Sequence, residues 1–127
     1  VKLNFVAPDI VAMPDEICTE IGAKGISHNP YQNLDDCLAE TDVLYVTRIQ
    51  KERFDSLEDY ETAKGGYVIT PETLAAAKDK MIVMHPLPRV GEISMQVDQD
   101  PRAAYFRQME YGLYVRMALL AMVLGKA

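Results

Sequence analysis

Two short, almost uninterrupted apolar runs constrain most strongly what this chain can fold into. They occupy residues 43–46 (VLYV) and 81–84 (MIVM). Continuous apolar strands are typical of parallel sheets whose two faces are both covered by helices. Because helical and strand-like patterns also alternate along the rest of the chain, the sequence predicts an α/β fold. We expect a three-layer domain with a mostly parallel central sheet flanked by helices.

The segment before the first apolar run contains signals for two strands and two helices. Residues 2–6 alternate polar and apolar side chains and the pattern stops at Ala7 and Pro8, which predicts a first strand. Pro14 suits the first turn of a helix, and a second strand is expected around residues 25–28. Asn33 is predicted to cap a second helix that ends near Thr41.

The rest of the chain is predicted to hold a loop, a brief strand and two more helices. Residues 51–66 are rich in charge and end in two glycines, which favours a mobile loop with one or two helical turns. A brief strand at residues 67–69 follows, and Thr70 begins a capped helix that continues to about Lys80. A long C-terminal helix spans residues 103–124 and is apolar over much of its circumference, so it needs more burial than one sheet face supplies.

Length and composition restrict the classes of partner. A chain of 127 residues that is 49% hydrophobic is long enough for one compact domain with a core. Its formal net charge of -6 argues against nucleic acid or an anionic membrane as the main partner, and no run approaches the roughly 20 apolar residues of a membrane span. Cys18 and Cys37 lack paired-ligand spacing, so we expect free thiols, a cytoplasmic protein and no metal site.

The first candidate site residues follow the first apolar run. In open α/β sheets, ligands bind beyond the carboxyl ends of the strands. Arg48 and Gln50 occupy alternate positions there, and a guanidinium fork with an amide suits a small carboxylate. The alternative is that Arg48 pairs with a structural carboxylate of the chain itself.

The second candidate segment, residues 85–89 (HPLPR), follows the second apolar run. Two prolines around Leu87 fix the backbone and leave the Leu87 carbonyl without competing neighbouring amide donors, so this carbonyl can receive a ligand amine. A proline in such a turn can be cis, which the sequence does not decide. A lone histidine at a strand end is more often structural than catalytic, and we interpret His85 in that way.

Three segments together resemble the second domain of the aspartate carbamoyltransferases. They are residues 47–53 (TRIQKER), 85–89 (HPLPR) and 98–106 (DQDPRAAYF), in the family's order. The resemblance covers essentially the whole chain. Residues 1–127 are therefore identified as an aspartate-binding, C-terminal domain, and the carbamoyl-phosphate domain is expected to be absent from this sequence.

The resemblance implies roles for individual residues. Arg48 corresponds to a residue that binds a carboxylate of aspartate, and Gln50 to one that supports the same substrate. The Pro86 and Leu87 backbone corresponds to the part that contacts the reacting groups. Two further residues match a mobile loop that closes over the substrates and pairs the domains, namely Lys51 and Arg53. Ornithine-using relatives carry a cysteine where this chain has Pro86, which favours aspartate over ornithine.

The resemblance also implies a reaction, and a second function stays open beside it. The family transfers the carbamoyl group of carbamoyl phosphate to the amine of L-aspartate in pyrimidine biosynthesis, without cofactor or metal, as homotrimers of complete chains. The family's phosphate-binding loop is missing here, so we expect the domain to be inactive without an N-terminal domain. The alternative is a non-catalytic amino-acid-binding or assembly module of the same fold.

Overall fold

The computed structural model describes residues 1–64 and 68–126 of the chain. Within them it has an α/β architecture with parallel strands and a long C-terminal helix, which confirms the predicted fold class. The predicted strand at residues 67–69 lies partly outside the described residues. The elements, in chain order, are β1 (Lys2–Val6), α1 (Asp15–Ala23), β2 (Ser27–Tyr31), α2 (Asp35–Leu38), β3 (Val43–Tyr45), α3 (Leu57–Lys64), α4 (Pro71–Leu74), β4 (Ile82–Met84) and α5 (Tyr105–Val123).

The four strands form two parallel pairs. β1 runs beside β2, from Lys2 opposite Ser27 to Val6 opposite Tyr31. β3 runs beside β4, with Leu44 opposite Val83. A cleft of about 1270 Å³ is lined by residues of both β1 and β3. The parallel pairing is as predicted, and it is divided between two two-stranded sheets.

β4 is hydrogen bonded along both edges. On the side away from β3, the Val83 amide donates to the Arg102 carbonyl at 2.9 Å and the Ala104 amide donates to the Val83 carbonyl at 2.8 Å. The segment just before α5 is therefore fixed to the middle of the sheet. Around it lies the core, which includes Leu38, Leu74, Met81, Val83, Ile93, Val97 and Tyr105, each at most 2% exposed.

Two element boundaries differ from the prediction because helix ends are set by particular hydrogen bonds. The strand expected at residues 25–28 begins at Ser27, because Gly25, at φ +72°, ends α1 and the Ile26 amide bonds back to the Ile21 carbonyl at 3.3 Å. Asn33 is not the cap of α2, since Leu34 holds that position without a side-chain hydrogen bond.

The helix predicted from Thr70 to about Lys80 begins correctly and ends early. Thr70 and Thr73 form a reciprocal capping box. The helix stops at Leu74, where the Arg102 guanidinium donates to the Leu74 carbonyl at 2.8 Å. This side-chain bond satisfies a carbonyl at the helix end, and the backbone is then free to turn into β4.

Much apolar surface remains uncovered in this chain. β3 is not buried on both faces as predicted, because Val43 and Tyr45 are each more than half exposed. The second half of α5 is exposed as expected, with Leu113, Val115, Met117, Leu119, Leu120, Met122, Val123 and Leu124 all at least 54% accessible. None of the described helices is both long and apolar enough to cross a membrane.

Substitution of one buried leucine and one exposed leucine tests the assignment of the core. Leu74→Ala removes a fully buried side chain, so we expect the free energy of unfolding to fall by about 2–5 kcal/mol. Leu120→Ala, on the exposed part of α5, should change it by less than about 1 kcal/mol. Urea unfolding of this chain followed by circular dichroism measures both. Equal losses would contradict the assignment of the core.

Candidate functional site

The two candidate segments begin at the same edge of the β3–β4 sheet. Because the strands are parallel, their carboxyl ends lie side by side, and the Val46 amide donates to the Met84 carbonyl at 2.9 Å. Arg48 follows one strand end and His85 follows the other. The pairing therefore brings together the two segments that the sequence singled out.

Arg48 presents its guanidinium fork to a carboxylate. Its Nη2 lies 2.6 Å from Glu52 Oε1 and its Nη1 lies 3.4 Å from Glu52 Oε2. The hydrogen bond that Arg48 donates to Glu52 is the main cause of a raised pKa of Arg48. The side chain is 38% exposed and lines the cleft beside β3, so the pair stands at the surface. Arg48 does pair with a carboxylate of the chain itself, and a ligand carboxylate can replace that exposed partner. The structural and the ligand-binding interpretations of Arg48 therefore both remain open.

The residues after Arg48 form a short turn at the same place. Gln50 is half-buried and leads into a 3₁₀ turn at Lys51–Arg53. The Lys51 ammonium lies 5.9 Å from the centre of the Tyr60 ring, which attracts it through a cation–π contact. The side chain of Arg53 lies outside the described part of the structure, so only the position of its backbone bears on its predicted role.

His85 is buried and fully engaged. It is 1% exposed, its Nε2 lies 2.6 Å from Glu92 Oε1, and its Nδ1 accepts the Leu87 amide at 2.8 Å. Burial by itself would raise the pKa of Glu92, but hydrogen bonds from the amides of Val90 and Glu92 and from His85 outweigh it and lower that pKa. His85 is thus a hydrogen-bonded structural residue, in line with its interpretation from the sequence.

Leu87 has an unusual backbone and an available carbonyl. Its φ of +46° is the only positive value at a non-glycine among the described residues, and the peptide bond to Pro88 is cis. Pro88 has no amide hydrogen, and within residues 1–64 and 68–126 no donor bonds to the Leu87 carbonyl oxygen. This oxygen can therefore accept a hydrogen bond from a ligand amine. Pro86 lies immediately before it in the turn.

A network that the sequence did not reveal holds the end of the same turn. The Arg89 guanidinium makes two bonds to the Asp98 carboxylate, one of them at 2.7 Å, and the Tyr105 hydroxyl donates to Asp98 at 2.5 Å. The bond from Arg89 is the main cause that lowers the pKa of Asp98 to about 2. Burial is the main cause that raises the pKa of Tyr105 to about 12. The Arg89 guanidinium is thus engaged in a structural ion pair with Asp98.

A further contact that the sequence did not reveal reaches the turn from α5. The Gln108 side-chain oxygen accepts the His85 amide at 2.9 Å. Both Gln108 and Tyr105 belong to the first two turns of α5. The resemblance marked the segment around Tyr105 as important, but no local signal in the sequence pairs these residues with residues 85–89.

The Asp98 network predicts how stability depends on pH. Asp98→Asn should lower the free energy of unfolding by about 2 kcal/mol at pH 7, because the carboxylate has a depressed pKa in the folded state. The stabilisation is present above pH about 4 and is lost as the pH falls toward 2, so the difference from wild type should shrink over that range. Asp42→Asn, which removes an exposed pair with Lys78, is the control and should have little effect. Urea titrations at several pH values measure this, and a pH-independent difference would contradict it.

The sequence of the chain matches a known protein family. Residues 1–123 match the family model described as aspartate/ornithine carbamoyltransferase, Asp/Orn binding domain. The chain is 61% identical over 125 residues to the multifunctional protein pyr1-3 of Dictyostelium discoideum, covering 98% of this chain and 6% of that protein. It is 48% identical over 126 residues to the aspartate carbamoyltransferase catalytic subunit of Aliivibrio fischeri (strain MJ11), covering 99% of this chain and 40% of the subunit.

A solved structure agrees with these sequence matches. The crystal structure of aspartate transcarbamoylase from Trypanosoma cruzi in complex with N-(phosphonacetyl)-L-aspartic acid is 47% identical and superimposes with a TM-score of 0.81, covering 94% of this chain and 39% of that one. The chain spans well under half the length of each of these relatives. The match nevertheless includes nearly all of its own residues, in sequence and in fold. The chain belongs to the aspartate/ornithine carbamoyltransferase family.

Proposed function

We propose that this chain is the aspartate-binding part of an aspartate carbamoyltransferase, in which it holds L-aspartate for reaction with carbamoyl phosphate. The observation that carries the proposal is that two complementary groups follow neighbouring strand ends at one sheet edge. Arg48 offers a fork that already binds a carboxylate, and Leu87 offers a carbonyl oxygen without a donor among the described residues. A carboxylate and an amine on one small molecule match this pair.

The reaction needs positioning more than reactive side chains. The aspartate amine attacks the carbonyl carbon of carbamoyl phosphate, a C–N bond forms, the C–O bond to phosphate breaks, and the amine loses a proton as inorganic phosphate departs. In this proposal Arg48 and Gln50 hold the carboxylates, while the Pro86 and Leu87 backbone orients the amine. Holding the two reactants in line supplies much of such a rate enhancement.

Several features support aspartate as the amino acid. The family model includes both aspartate- and ornithine-binding domains, whereas the Aliivibrio fischeri subunit and the Trypanosoma cruzi enzyme are named for aspartate. The Trypanosoma cruzi enzyme is in complex with N-(phosphonacetyl)-L-aspartic acid. Pro86 stands where ornithine-using relatives are expected to carry a cysteine. Lys51 and Arg53 would belong to a loop that closes over the substrates. The reaction would belong to pyrimidine biosynthesis.

The proposal extends to assembly. Carbamoyl phosphate would be bound by an N-terminal domain, and complete chains would form a cytoplasmic homotrimer. The exposed apolar half of α5 supports a covering partner, because a row of seven apolar side chains on the helix, with Leu124 at its C-cap, exceeds what a soluble monomer usually leaves in water. The net charge of -6 supports the need for cationic groups from elsewhere to receive two anionic substrates.

Activity should depend on the rest of the enzyme. We expect no carbamoyl aspartate from this chain alone, and readily measured formation when it replaces the matching segment of the Aliivibrio fischeri catalytic subunit, with which it shares 48% identity. A colorimetric assay for carbamoyl aspartate measures both, with the unaltered subunit as reference. A folded but inactive chimera that still binds aspartate would favour a non-catalytic amino-acid-binding module instead.

Arg48 should dominate aspartate recognition. In the chimera, Arg48→Ala should lower kcat/KM for aspartate by about 100-fold or more, because two charge-assisted hydrogen bonds are lost. Arg48→Lys should recover little, since an ammonium cannot make the paired contact. Lys24→Ala is the control, because Lys24 forms a similar exposed ion pair with Glu20, one helical turn away in sequence. Unchanged kcat/KM in both Arg48 variants would remove this residue from the site.

A further inference from the structure

The Leu87 turn is held from inside by a side chain that does not itself reach the surface. His85 is 1% exposed, and its ring lies between two hydrogen-bond partners of the same loop. Nδ1 is 2.8 Å from the Leu87 amide nitrogen, and Nε2 is 2.6 Å from Glu92 Oε1. A buried ring in this place connects the start of the turn to its end.

The two contacts define one tautomer of the His85 ring. An amide N–H can only donate, so Nδ1 must accept and must carry no proton. The proton of a neutral imidazole is then on Nε2, where it donates to the Glu92 carboxylate. Glu92 thus selects the form of His85 that can hold the Leu87 amide.

Glu92 is itself fixed by the backbone around it. Its other carboxylate oxygen accepts the Val90 amide at 2.9 Å, and its carbonyl accepts the Ile69 amide at 2.9 Å. His85 is anchored in the same way, because its amide donates to Gln108 on α5. Both ends of the connection are therefore rigid, and the ring spans the turn between them.

The Leu87 backbone needs such a connection. Its φ of +46° is a left-handed value that residues with a Cβ rarely adopt, and the bond to Nδ1 is one contact that favours it. Only two rotatable bonds separate the Leu87 amide from the Leu87 carbonyl. Fixing the amide therefore restricts the direction in which the carbonyl oxygen points.

We propose that His85 is a positioning residue, which acts through Leu87 by holding its amide so that the neighbouring carbonyl meets the substrate amine. The inference rests on the proposed function for the identity of that amine. The two hydrogen bonds that join Glu92 to His85 and His85 to Leu87, here called the lock, are contacts within this chain and do not depend on the proposed function. His85 takes no proton from the substrate, because its two ring nitrogens are both occupied.

Two substitutions of His85 separate the roles of its two ring nitrogens, the acceptor Nδ1 and the donor Nε2. In His85→Asn the side-chain oxygen takes the place of Nδ1 and keeps an acceptor for the Leu87 amide. In His85→Gln the amide nitrogen takes the place of Nε2 and keeps the donor to Glu92, but the acceptor is lost. In the chimera we expect kcat for His85→Gln to be about tenfold or more below that of His85→Asn, with a smaller change in the KM for aspartate, which depends on Arg48.

Controls separate positioning from folding. Melting temperatures of the two variants should be similar, and His28→Asn should leave kcat unchanged, since the His28 ring bonds only to its own neighbourhood at the Ile26 carbonyl. Equal kcat values for His85→Asn and His85→Gln at equal melting temperature would overturn the proposal.

A spectroscopic measurement tests the tautomer of His85 even where a variant fails to fold or the chimera is inactive. With ¹⁵N-labelled histidine in the chimera, the His85 signals should show an unprotonated Nδ1 and a protonated Nε2. A proton on Nδ1 would overturn the lock. The expected tautomer in an inactive chimera would uphold the lock and count against the proposed function instead.

Discussion

The two-sided hydrogen bonding of β4 is the constraint on which the rest of the structure depends. On one edge it sets β4 in register with β3, which places the turns after Val46 and Met84 next to each other. On the other edge it fixes residues 102–104, and thereby the start of α5. Because α5 then supplies the side chains that bond to Asp98 and to the His85 amide, the same strand positions both the candidate groups and their supports.

α5 has two halves with different physical roles. In the first turns Tyr105 is fully buried and Gln108 is half-buried. Tyr105 hydrogen bonds with Asp98 and Arg89, and Gln108 accepts the His85 amide. The later turns carry the exposed apolar row and contribute nothing comparable to the core of this chain. A partner that covers the later turns would hold the helix more firmly, and through it the first turns that support the Leu87 carbonyl.

Sequence reasoning succeeded where structure is set locally. The apolar runs at residues 43–46 and 81–84 marked β3 and β4 because short, nearly continuous apolar runs favour strands of a parallel sheet, although β3 is more exposed than that pattern predicts. Thr70 marked a helix start because its capping box spans only four residues. It failed where distant partners are involved. Arg102 bonds to the carbonyl at the end of α4, and the choice of Asp98 as the partner of Arg89, among many carboxylates, is made by the fold.

The Arg48 fork is paired with Glu52 and has further carboxylates around it. Glu52 occupies the fork, and such an exposed pair of neighbours contributes little stability, so a ligand carboxylate can displace it at small cost. The displaced Glu52 stays nearby, however, and Glu61 and Glu92 also line the cleft. A dianionic amino acid entering there meets one fork among several carboxylates. Net attraction for such a ligand then requires further cations at the mouth of the cleft.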